Sequence, residues 1–386
     1  MSDNAILAIS ARAARLRAEG AAVISLAAGE PDLPTPSHIT DTVARIAGDP
    51  ALHHYGGAAG LPGLRALAAA RLAEATGLPW NAGDVQITLG AKHALALALQ
   101  AVLDPGDQVL VTTPGWPGHH GVIEAAGGVA RTVRAGADAG FLATPDDLAR
   151  ARTPRTRALI LAGPGNPTGA VYPRAALAEI ADWALRHDLW CITDDIYQEF
   201  VYDAPHTALL AAAPHARQRC IMINGVSKAH AMTGWRVGWL AGPASVLARA
   251  SRAVSRTITH VPLITQAAAE EALSGGRASV RAAHDRYRAN RDILHEALNS
   301  LPGVDCPLPA GGFYVFPSVA GLLARHSGRW SSASDLAAWL LETAHVAVVP
   351  GEVFGAPDRL RIGFAVSGTA MAEAIDRLRR ALGHLT

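Results

Sequence analysis

The sequence has few cysteines, no long apolar run and no leader-like N-terminus. Its three cysteines, Cys191, Cys220 and Cys306, are widely spaced and form no CxxC, so neither a disulfide framework nor a zinc knuckle is indicated. The first ten residues, MSDNAILAIS, lack the basic segment and apolar core of a secretory signal. No apolar run approaches the roughly 18 residues that a membrane span needs. We therefore expect a soluble, cytoplasmic protein without membrane contact.

An excess of charge of one sign is also lacking. Lys and Arg together number 34 and Asp and Glu 33, so the net charge is +1, which predicts no basic surface for nucleic acid. The 16 histidines include the adjacent pairs His53 with His54 and His119 with His120, but no HExxH motif. We interpret these histidines as loop residues and expect neither a metal site nor a nucleic-acid partner.

Half of the residues are apolar, and many of them lie in short runs that predict strands buried on both faces. Helical patterns at 91–103 and 174–186 separate some of these runs, and Pro173 is a suitable start for the second helix. Strands joined by helical crossovers favour an α/β fold with a mostly parallel, doubly wound sheet. The predicted strands are 85–89, 108–112, 158–162, 189–193, 220–223 and 237–241.

The pattern changes after about residue 257. A long helical stretch is predicted at 264–301, and a smaller α/β unit follows it. That unit has predicted strands at 312–316, 346–349 and 360–364 and predicted helices at 333–344 and 370–382. The first forty residues hold one helix and one short strand, too little for a domain of their own. We predict an N-terminal arm at 1–45 that joins the small domain, a large domain at 46–285 and a small domain at 286–386.

One lysine follows a buried strand in the stretch NGVSKAHAMTGWRVGW, which is residues 224–239. Small residues surround this Lys228, and Arg236 lies eight positions further on. A lysine on an arbitrary surface needs no explanation, but one in a desolvated pocket is the usual group that forms a Schiff base. The crowding by small residues favours the second interpretation.

Other chemically useful residues follow other predicted strands. Each has an ordinary alternative, because a Gly-Pro-rich loop can be a plain turn, Asp194 a helix cap and Trp116 a core residue. In open α/β sheets, however, ligands bind outside the carboxyl ends of the strands. The sequence therefore predicts a site at one sheet edge from the segments at 90–92, 114–116, 163–169, 194–197 and 227–228.

This set of segments resembles the fold-type I pyridoxal-phosphate enzymes, specifically the class I/II aminotransferases. The resemblance covers nearly the whole chain and is greatest to the bacterial aspartate/prephenate aminotransferase branch. It implies a large domain with a mostly parallel sheet, a smaller α/β domain built from both termini, and a homodimer with its active site at the subunit interface. The motifs are LAAGEPDLPTP, HHYGGAAGLPGLR, PGNPTGAVYP, TDDIYQEF, SKAHAMTGWRVG, GGFYVFP and RLRIGFAVS.

The resemblance implies roles for residues around the cofactor. Lys228 would form the Schiff base with pyridoxal 5′-phosphate and then move the substrate proton, and Asp194 would pair with the ring nitrogen. Tyr197 and Asn166 would hydrogen-bond the ring oxygen, and Trp116 would stack on the ring face. The phosphate would be held by Arg236, Ser227, Gly90 and the backbone N–H groups of Ala91 and Lys92 at a helix N-terminus.

The resemblance also implies how the substrate binds. Arg361 would take the α-carboxylate as a planar two-pronged donor, assisted by Gly29, Trp116 and Asn166. From the second subunit, Tyr55 would reach the phosphate, and Arg256 is one candidate to bind a distal carboxylate. Lys92 is a rival for that last role, and the third alternative is that neither residue has it.

The implied function is ping-pong transfer of an α-amino group between an amino acid and a 2-oxo acid, with the cofactor carrying the group as pyridoxamine phosphate. The substrate is aspartate, glutamate or a broader range of amino acids. One alternative is another pyridoxal-phosphate reaction, such as β-elimination, decarboxylation or oxidation, and a lesser one is a non-catalytic binding domain. A nicotinamide-dependent dehydrogenase is disfavoured, because the glycines at 56–60 follow no predicted strand.

Overall fold

The computed structural model describes residues 4–383, and its largest feature is a seven-stranded sheet. From one edge to the other the strand order is β2-β8-β7-β6-β5-β3-β4, and β8 alone runs antiparallel to its neighbours. The predicted mostly parallel sheet is therefore confirmed. The strands are β2 (Val85–Thr88), β3 (Gln108–Thr113), β4 (Val129–Arg134), β5 (Thr156–Ala162), β6 (Trp190–Asp194), β7 (Cys220–Gly225) and β8 (Gly238–Ala241).

Buried side chains alternate between two cores along these strands. In β3, Val109 and Val111 belong to one core and Leu110 to the other, and in β6 Ile192 and Cys191 divide in the same way. Successive side chains of a strand point to opposite faces, so both faces of the sheet are covered. The covering helices are α2 (Ser37–Ile46), α3 (Pro62–Thr76), α4 (Ala91–Val102), α5 (Gly118–Ala125), α6 (Pro145–Ala151), α7 (Arg174–Arg186), α8 (Leu209–Ala212), α9 (Ala244–Thr257) and α10 (Leu263–Ser274).

The edge strand β4 was not predicted from the sequence. Its residues, VARTVR, are mostly exposed, and only Val133 is buried. A strand at a sheet edge pairs on one side only and needs no continuous apolar run, so its sequence resembles that of a loop. It pairs in parallel with β3 from Gln108 to Thr113.

A smaller α/β unit is built from both ends of the chain. Its strand β1 (Ile24–Ser25) pairs in parallel with β10 (Val346–Ala347). The remaining strands, β9 (Tyr314–Val315), β11 (Val349–Pro350) and β12 (Leu360–Gly363), form an antiparallel sheet in the order β11-β12-β9. The helices of this part are α1 (Asn4–Ala18), α11 (Ala278–Asn299), α12 (Ala320–Arg325), α13 (Ala333–Trp339) and α14 (Gly368–Gly383).

The single helix predicted at 264–301 is wrong, because the structure has two helices, α10 and α11, separated at 275–277. A side chain at Gly275 would lie 2.8 Å from the carbonyl oxygen of Glu271 and 3.0 Å from His38 Nε2. The chain therefore needs a glycine there, and glycine disfavours continuing a helix. The helix predicted at 333–344 likewise changes character, since α13 ends at Trp339 and a π-helical turn, Leu340–Ala344, follows.

The topology brings many chain segments to one edge of the large sheet. Strands β3, β4, β5, β6 and β7 are mutually parallel, and β2 shares their direction because β8 is antiparallel to both β2 and β7. Six strands thus end at the edge where β8 begins. Within residues 4–383, no helix is long and apolar enough to cross a membrane.

Gln266 connects α10 to the loop before α3. Its side chain is fully buried, accepts a hydrogen bond from Leu61 N at 2.7 Å and donates one to Val261 O at 2.7 Å. Gln266→Leu should lower the free energy of unfolding by about 2–4 kcal/mol, because two buried backbone groups lose their partners. Denaturant unfolding of the apoprotein measures this. The neighbouring, only half-buried Thr265 keeps no distant backbone group bonded, so Thr265→Ala should cost about 0.5 kcal/mol or less, and equal effects would contradict the assignment.

Candidate active site

A cavity of about 460 Å³ lies where the large sheet edge meets the small unit. Its size is that of an ordinary small-molecule site. The predicted site residues that line it are Gly29, Ala91, Lys92, Trp116, Asn166, Asp194, Tyr197, Ser227, Lys228, Arg236 and Arg361. Residues that the sequence did not single out also line it: His119, Ala162, Pro164, Ile196, Thr233 and Tyr314.

Lys228 follows strand β7 by three residues, and its amine donates a hydrogen bond to the carbonyl oxygen of Gly29 at 2.7 Å. Burial lowers the pKa of this amine to about 8, although the charges of Glu30 and Asp194 act in the opposite direction. A lowered pKa leaves a useful fraction of the amine unprotonated near neutral pH, which is the form that attacks a carbonyl.

Lys228 and Lys92 are the only two lysines in the chain, and both line the cavity. The Lys92 amine lies 5.0 Å from the centroid of the Trp116 indole ring, within the range of a cation–π contact. All the other Lys or Arg positions are arginines. Apart from the amine of the chain terminus, the only amines of the protein are therefore the two lysine side chains in this cavity.

Asp194 is the last residue of β6 and faces His119, whose Nε2 atom lies 3.8 Å from its Oδ2 atom. His119 is buried and packs edge-on against Trp116 with ring centroids 5.1 Å apart. The interpretation of His119 and His120 as loop residues is wrong, because both lie in the first turn of α5. The short helix follows Pro117 and begins at Gly118, and because a Pro-Gly pair usually marks a turn, the sequence concealed the helix.

Two phenols border the cavity on the small-unit side. The hydroxyl oxygens of Tyr197 and Tyr314 are 3.1 Å apart. Burial raises the pKa of both phenols, so each remains neutral and can donate a hydrogen bond. The sequence motif GGFYVFP contained Tyr314 but gave no separate signal for it.

The N-terminus of α4 and Arg236 form one end of the cavity. Gly90 precedes α4 with φ +79°, and the Arg236 guanidinium donates to Thr233 O at 2.9 Å and Leu89 O at 3.3 Å. Ser227 is buried beside them. A helix N-terminus carries partial positive charge, and together with a guanidinium it favours a phosphate.

Arg361 lies on β12 with 2% of its surface exposed. It donates to Asn166 Oδ1 at 3.1 Å and to the carbonyl oxygen of Ala27 at 2.7 Å, while its buried Nε atom has no partner. The rings of Tyr314 and Phe354 lie 4.5 and 5.0 Å from the guanidinium carbon. A buried guanidinium with an unused donor suits a carboxylate.

Residues 27–35, which we call the N-terminal strap, border the cavity and form hydrogen bonds to residues on both sides of it. Besides the carbonyl groups that accept from Lys228 and Arg361, the strap carries Thr35, whose hydroxyl donates to Ala231 O at 2.8 Å. The indole N–H of Trp235 donates to that hydroxyl oxygen at 3.0 Å, and the Thr233 hydroxyl donates to Glu30 at 2.6 Å. The strap thus joins the loop that carries Lys228.

Three predicted residues do not line the cavity. Gly90 lies immediately outside it, at the start of α4. Tyr55 is 88% exposed and has His260 beside it, with ring centroids 5.9 Å apart. Arg256 is exposed in the last turn of α9. The structure contains one chain, so it leaves the predicted contributions of Tyr55 and Arg256 across an interface as predictions.

The cavity residues fit pyridoxal phosphate. The α4 N-terminus and Arg236 suit its phosphate, Lys228 its aldehyde, and the Asp194 carboxylate a protonated ring nitrogen. The Arg361 Nε atom has no hydrogen-bond partner, so it could donate a hydrogen bond to a substrate carboxylate. Within residues 4–383, no group of three or more His, Cys, Asp or Glu side chains is placed to hold a metal ion.

The fold and this cavity define an enzyme of the fold-type I pyridoxal-phosphate class. The family model for aminotransferase class I and II matches residues 21–378, and the chain belongs to that family. It is 40% identical to an aspartate aminotransferase of Streptomyces avermitilis over 385 residues, which are 99% of this chain and 94% of that protein. The enzyme is thus a pyridoxal-phosphate-dependent amino acid aminotransferase, and the predicted function, cofactor and fold class are confirmed.

Other relatives agree. The chain is 37% identical to an aspartate/prephenate aminotransferase of Thermus thermophilus, with 99% of this chain and 97% of that protein covered. A solved structure of Thermus thermophilus aspartate aminotransferase with maleate superimposes with a TM-score of 0.91 at 36% identity, covering 99% of this chain and 97% of the other. Elimination, decarboxylation and oxidation find no support among these relatives.

The lowered pKa of Lys228 predicts how the apoprotein takes up pyridoxal phosphate. The unprotonated amine reacts, so the uptake rate should rise with pH about a midpoint near 8, whereas an ordinary lysine would give a midpoint near 10.4. Stopped-flow absorbance between about pH 6.5 and 10.5 measures the rate. A midpoint above about 10 would contradict the desolvated setting.

Gly90 should be sensitive to substitution. A Cβ there would lie 2.7 Å from Arg236 Nη2, and the φ of +79° with ψ 172° belongs to a region that only glycine adopts readily. Gly90→Ala should weaken pyridoxal-phosphate binding about tenfold by displacing the guanidinium and straining the turn. Absorbance titration of the apoprotein measures the affinity. Gly328→Ala, in open space, is the matched control and should bind normally.

Proposed function

We propose that the enzyme transfers the amino group of a dicarboxylic amino acid, aspartate or glutamate, to a 2-oxo acid. One observation carries this proposal. The cavity is lined by two basic side chains, Arg361 and Lys92, in addition to Lys228 and Arg236, which would bind the cofactor. Arg361 is built for the α-carboxylate common to all amino acids. We assign a second, distal carboxylate to Lys92, whose amine lies beside Trp116 in the same cavity.

The relatives support the same substrate class. Those named above are an aspartate aminotransferase and an aspartate/prephenate aminotransferase, and the solved Thermus thermophilus enzyme holds maleate, a dicarboxylate. Arg256 is the other candidate for the distal carboxylate. It is exposed on α9 and could act only across a subunit interface, so the contacts within this chain favour Lys92.

The site residues would divide the reaction among them. When bound, pyridoxal phosphate supplies an aldehyde and an electron-accepting ring. The Lys228 amine would take a proton from the substrate Cα and deliver it to the carbon that had been the cofactor's aldehyde. The Asp194 carboxylate would keep a proton on the ring nitrogen. Tyr197 and Asn166 would orient the ring, Trp116 would cover one face and exclude water, and Arg361 would fix the substrate.

The remaining sequence predictions stay predictions. We propose a homodimer, in which the exposed Tyr55 contacts the partner's phosphate site; an exposed aromatic of this size suits an interface. We also keep the division into 1–45, 46–285 and 286–386, which places the boundary after residue 285 inside helix α11 (Ala278–Asn299). The expected cytoplasmic location is likewise a prediction.

The assignment of Lys92 can be tested with two donor amino acids. Lys92→Met should raise the KM for aspartate about 10- to 100-fold, because a charged hydrogen bond to the distal carboxylate is lost. The KM for alanine, which has no distal carboxylate, should change by less than about threefold. Steady-state kinetics with 2-oxoglutarate as acceptor provide both values.

Arg256→Met is the matched comparison for that experiment. It should leave the KM for aspartate close to that of the unmodified enzyme. If Arg256→Met raises the aspartate KM and Lys92→Met does not, the distal carboxylate is bound across the interface instead. If neither variant discriminates aspartate from alanine, the proposed dicarboxylic substrate is wrong.

A further inference from the structure

Besides His119 with Asp194, the structure contains a second histidine–aspartate pair, His206 with Asp195, and this pair is buried. Asp195 directly follows Asp194, and its Oδ1 atom lies 3.6 Å from His206 Nε2. The two side chains are only 8% and 12% exposed, respectively. The Thr193 hydroxyl donates to Asp195 Oδ2 at 2.8 Å, and the Asp195 N–H donates to Ile223 O at 3.0 Å. The carboxylate is thus fixed in place.

The aspartates of the two pairs are adjacent in the chain, but they line different cavities. Asp194 lines the active-site cavity beside His119, whereas Asp195 and His206 line a separate small cavity of about 20 Å³, room for about one water molecule. Gly163 also lines this small cavity, and its N–H donates to Asp194 O at 3.3 Å. The loop that carries Asn166 therefore begins against both aspartates.

Each of the two largely buried carboxylates has its own histidine, His119 beside Asp194 and His206 beside Asp195. A cation beside a buried carboxylate favours the charged form of that carboxylate, and His206 is the side chain that can supply it at Asp195. Burial lowers the pKa of His206, but the nearby Asp195 carboxylate, together with the Gly163 carbonyl and Glu199, outweighs burial and raises it overall. Glu199 itself is paired with Arg277.

Two other titratable side chains lie near Asp195: Cys220 on the adjacent strand β7, and Tyr172, which lines the same small cavity. Burial holds the pKa of the Cys220 thiol well above its ordinary value, and the Asp195 charge acts in the same direction. Burial also raises the pKa of the Tyr172 phenol. Both groups are therefore neutral, and His206 is the basic side chain that lines this pocket.

We propose that His206 is a positioning residue of the aminotransferase site: it pairs with Asp195 and faces the Gly163 carbonyl, so that the Asp195 charge next to Asp194 is compensated and the 163–169 loop keeps Asn166 at the cavity. The proposal rests on the roles proposed above for Asp194 and Lys228. His206 touches neither cofactor nor substrate and acts through the residues that do.

The test is a pH titration of the absorbance of bound pyridoxal phosphate in the holoenzyme. In His206→Gln, an uncompensated Asp195 charge would favour the protonated form of the nitrogen that links Lys228 to the cofactor. The titration midpoint should rise by about 0.5 to 1 pH unit. The double variant His206→Gln with Asp195→Asn removes both charges and should return the midpoint to within about 0.2 unit of the unmodified enzyme.

A matched control is available at the surface. His215 Nε2 lies 2.7 Å from Asp182 Oδ1, but these side chains are 59% and 48% exposed. His215→Gln removes the same kind of pair where water screens it, so it should leave the midpoint unchanged. A shift in this control equal to that of His206→Gln would overturn the proposal.

A second measurement does not depend on the cofactor. In the apoprotein, the His206 imidazole should titrate by NMR above the ordinary histidine value, because Asp195 raises its pKa, and Asp195→Asn should lower the midpoint. This measurement decides the matter if His206→Gln fails to fold. An unchanged His206 midpoint in Asp195→Asn, or an unchanged absorbance midpoint in His206→Gln, overturns the proposal.

The double variant separates an effect of charge from an effect of packing. If the absorbance midpoint stays shifted in the double variant, the shift comes from altered packing, and the proposed charge pairing is contradicted. Failure of the proposed function would look different. In that case the unmodified holoenzyme itself would show no pH-dependent absorbance, or Lys228→Ala would retain it.

Discussion

The hydrogen bond from the Lys228 amine to the carbonyl oxygen of Gly29 is the contact on which the rest of the site depends. A lysine removed from water must either find acceptors or lose its proton. The N-terminal strap provides the acceptor, and it provides a second one, Ala27 O, for the buried Arg361. One short segment therefore holds both Lys228 and Arg361, the residues proposed to bind the cofactor and the substrate carboxylate.

The strap can do this because of where the two ends of the chain pack. Strand β1 pairs with β10, and the N–H of Gly363 in β12 donates to Leu26 O at 2.7 Å. These bonds place residues 27–35 between the small sheet and the Lys228 loop. The strap then bonds to that loop through Thr35 and Glu30. The strap thus contacts both sides of the cavity and links the side lined by Arg361 with the side lined by Lys228.

The sequence predicted the elements whose reasons are local. Apolar runs such as 158–162 predict buried strands because only a covered sheet tolerates them, and the polar residues after those strands meet because parallel strands end together. Three elements were missed because their local sequence resembles something else. The edge strand β4 has few buried residues, the helical period continues on both sides of Gly275, and α5 begins at a Pro-Gly pair that usually marks a turn. Tyr314 and His206 became recognisable only when their neighbours were placed.

The central claim is that Lys228 carries the cofactor, and the presence of only two lysines makes it directly testable. The measurement is borohydride reduction of the holoenzyme followed by mass-spectrometric mapping of the pyridoxyl group. The account predicts that the label lies on the peptide containing Lys228, in an amount near one per chain, with Lys92 unlabelled. A label on Lys92 or on the chain terminus, or no covalent label at all, would contradict it.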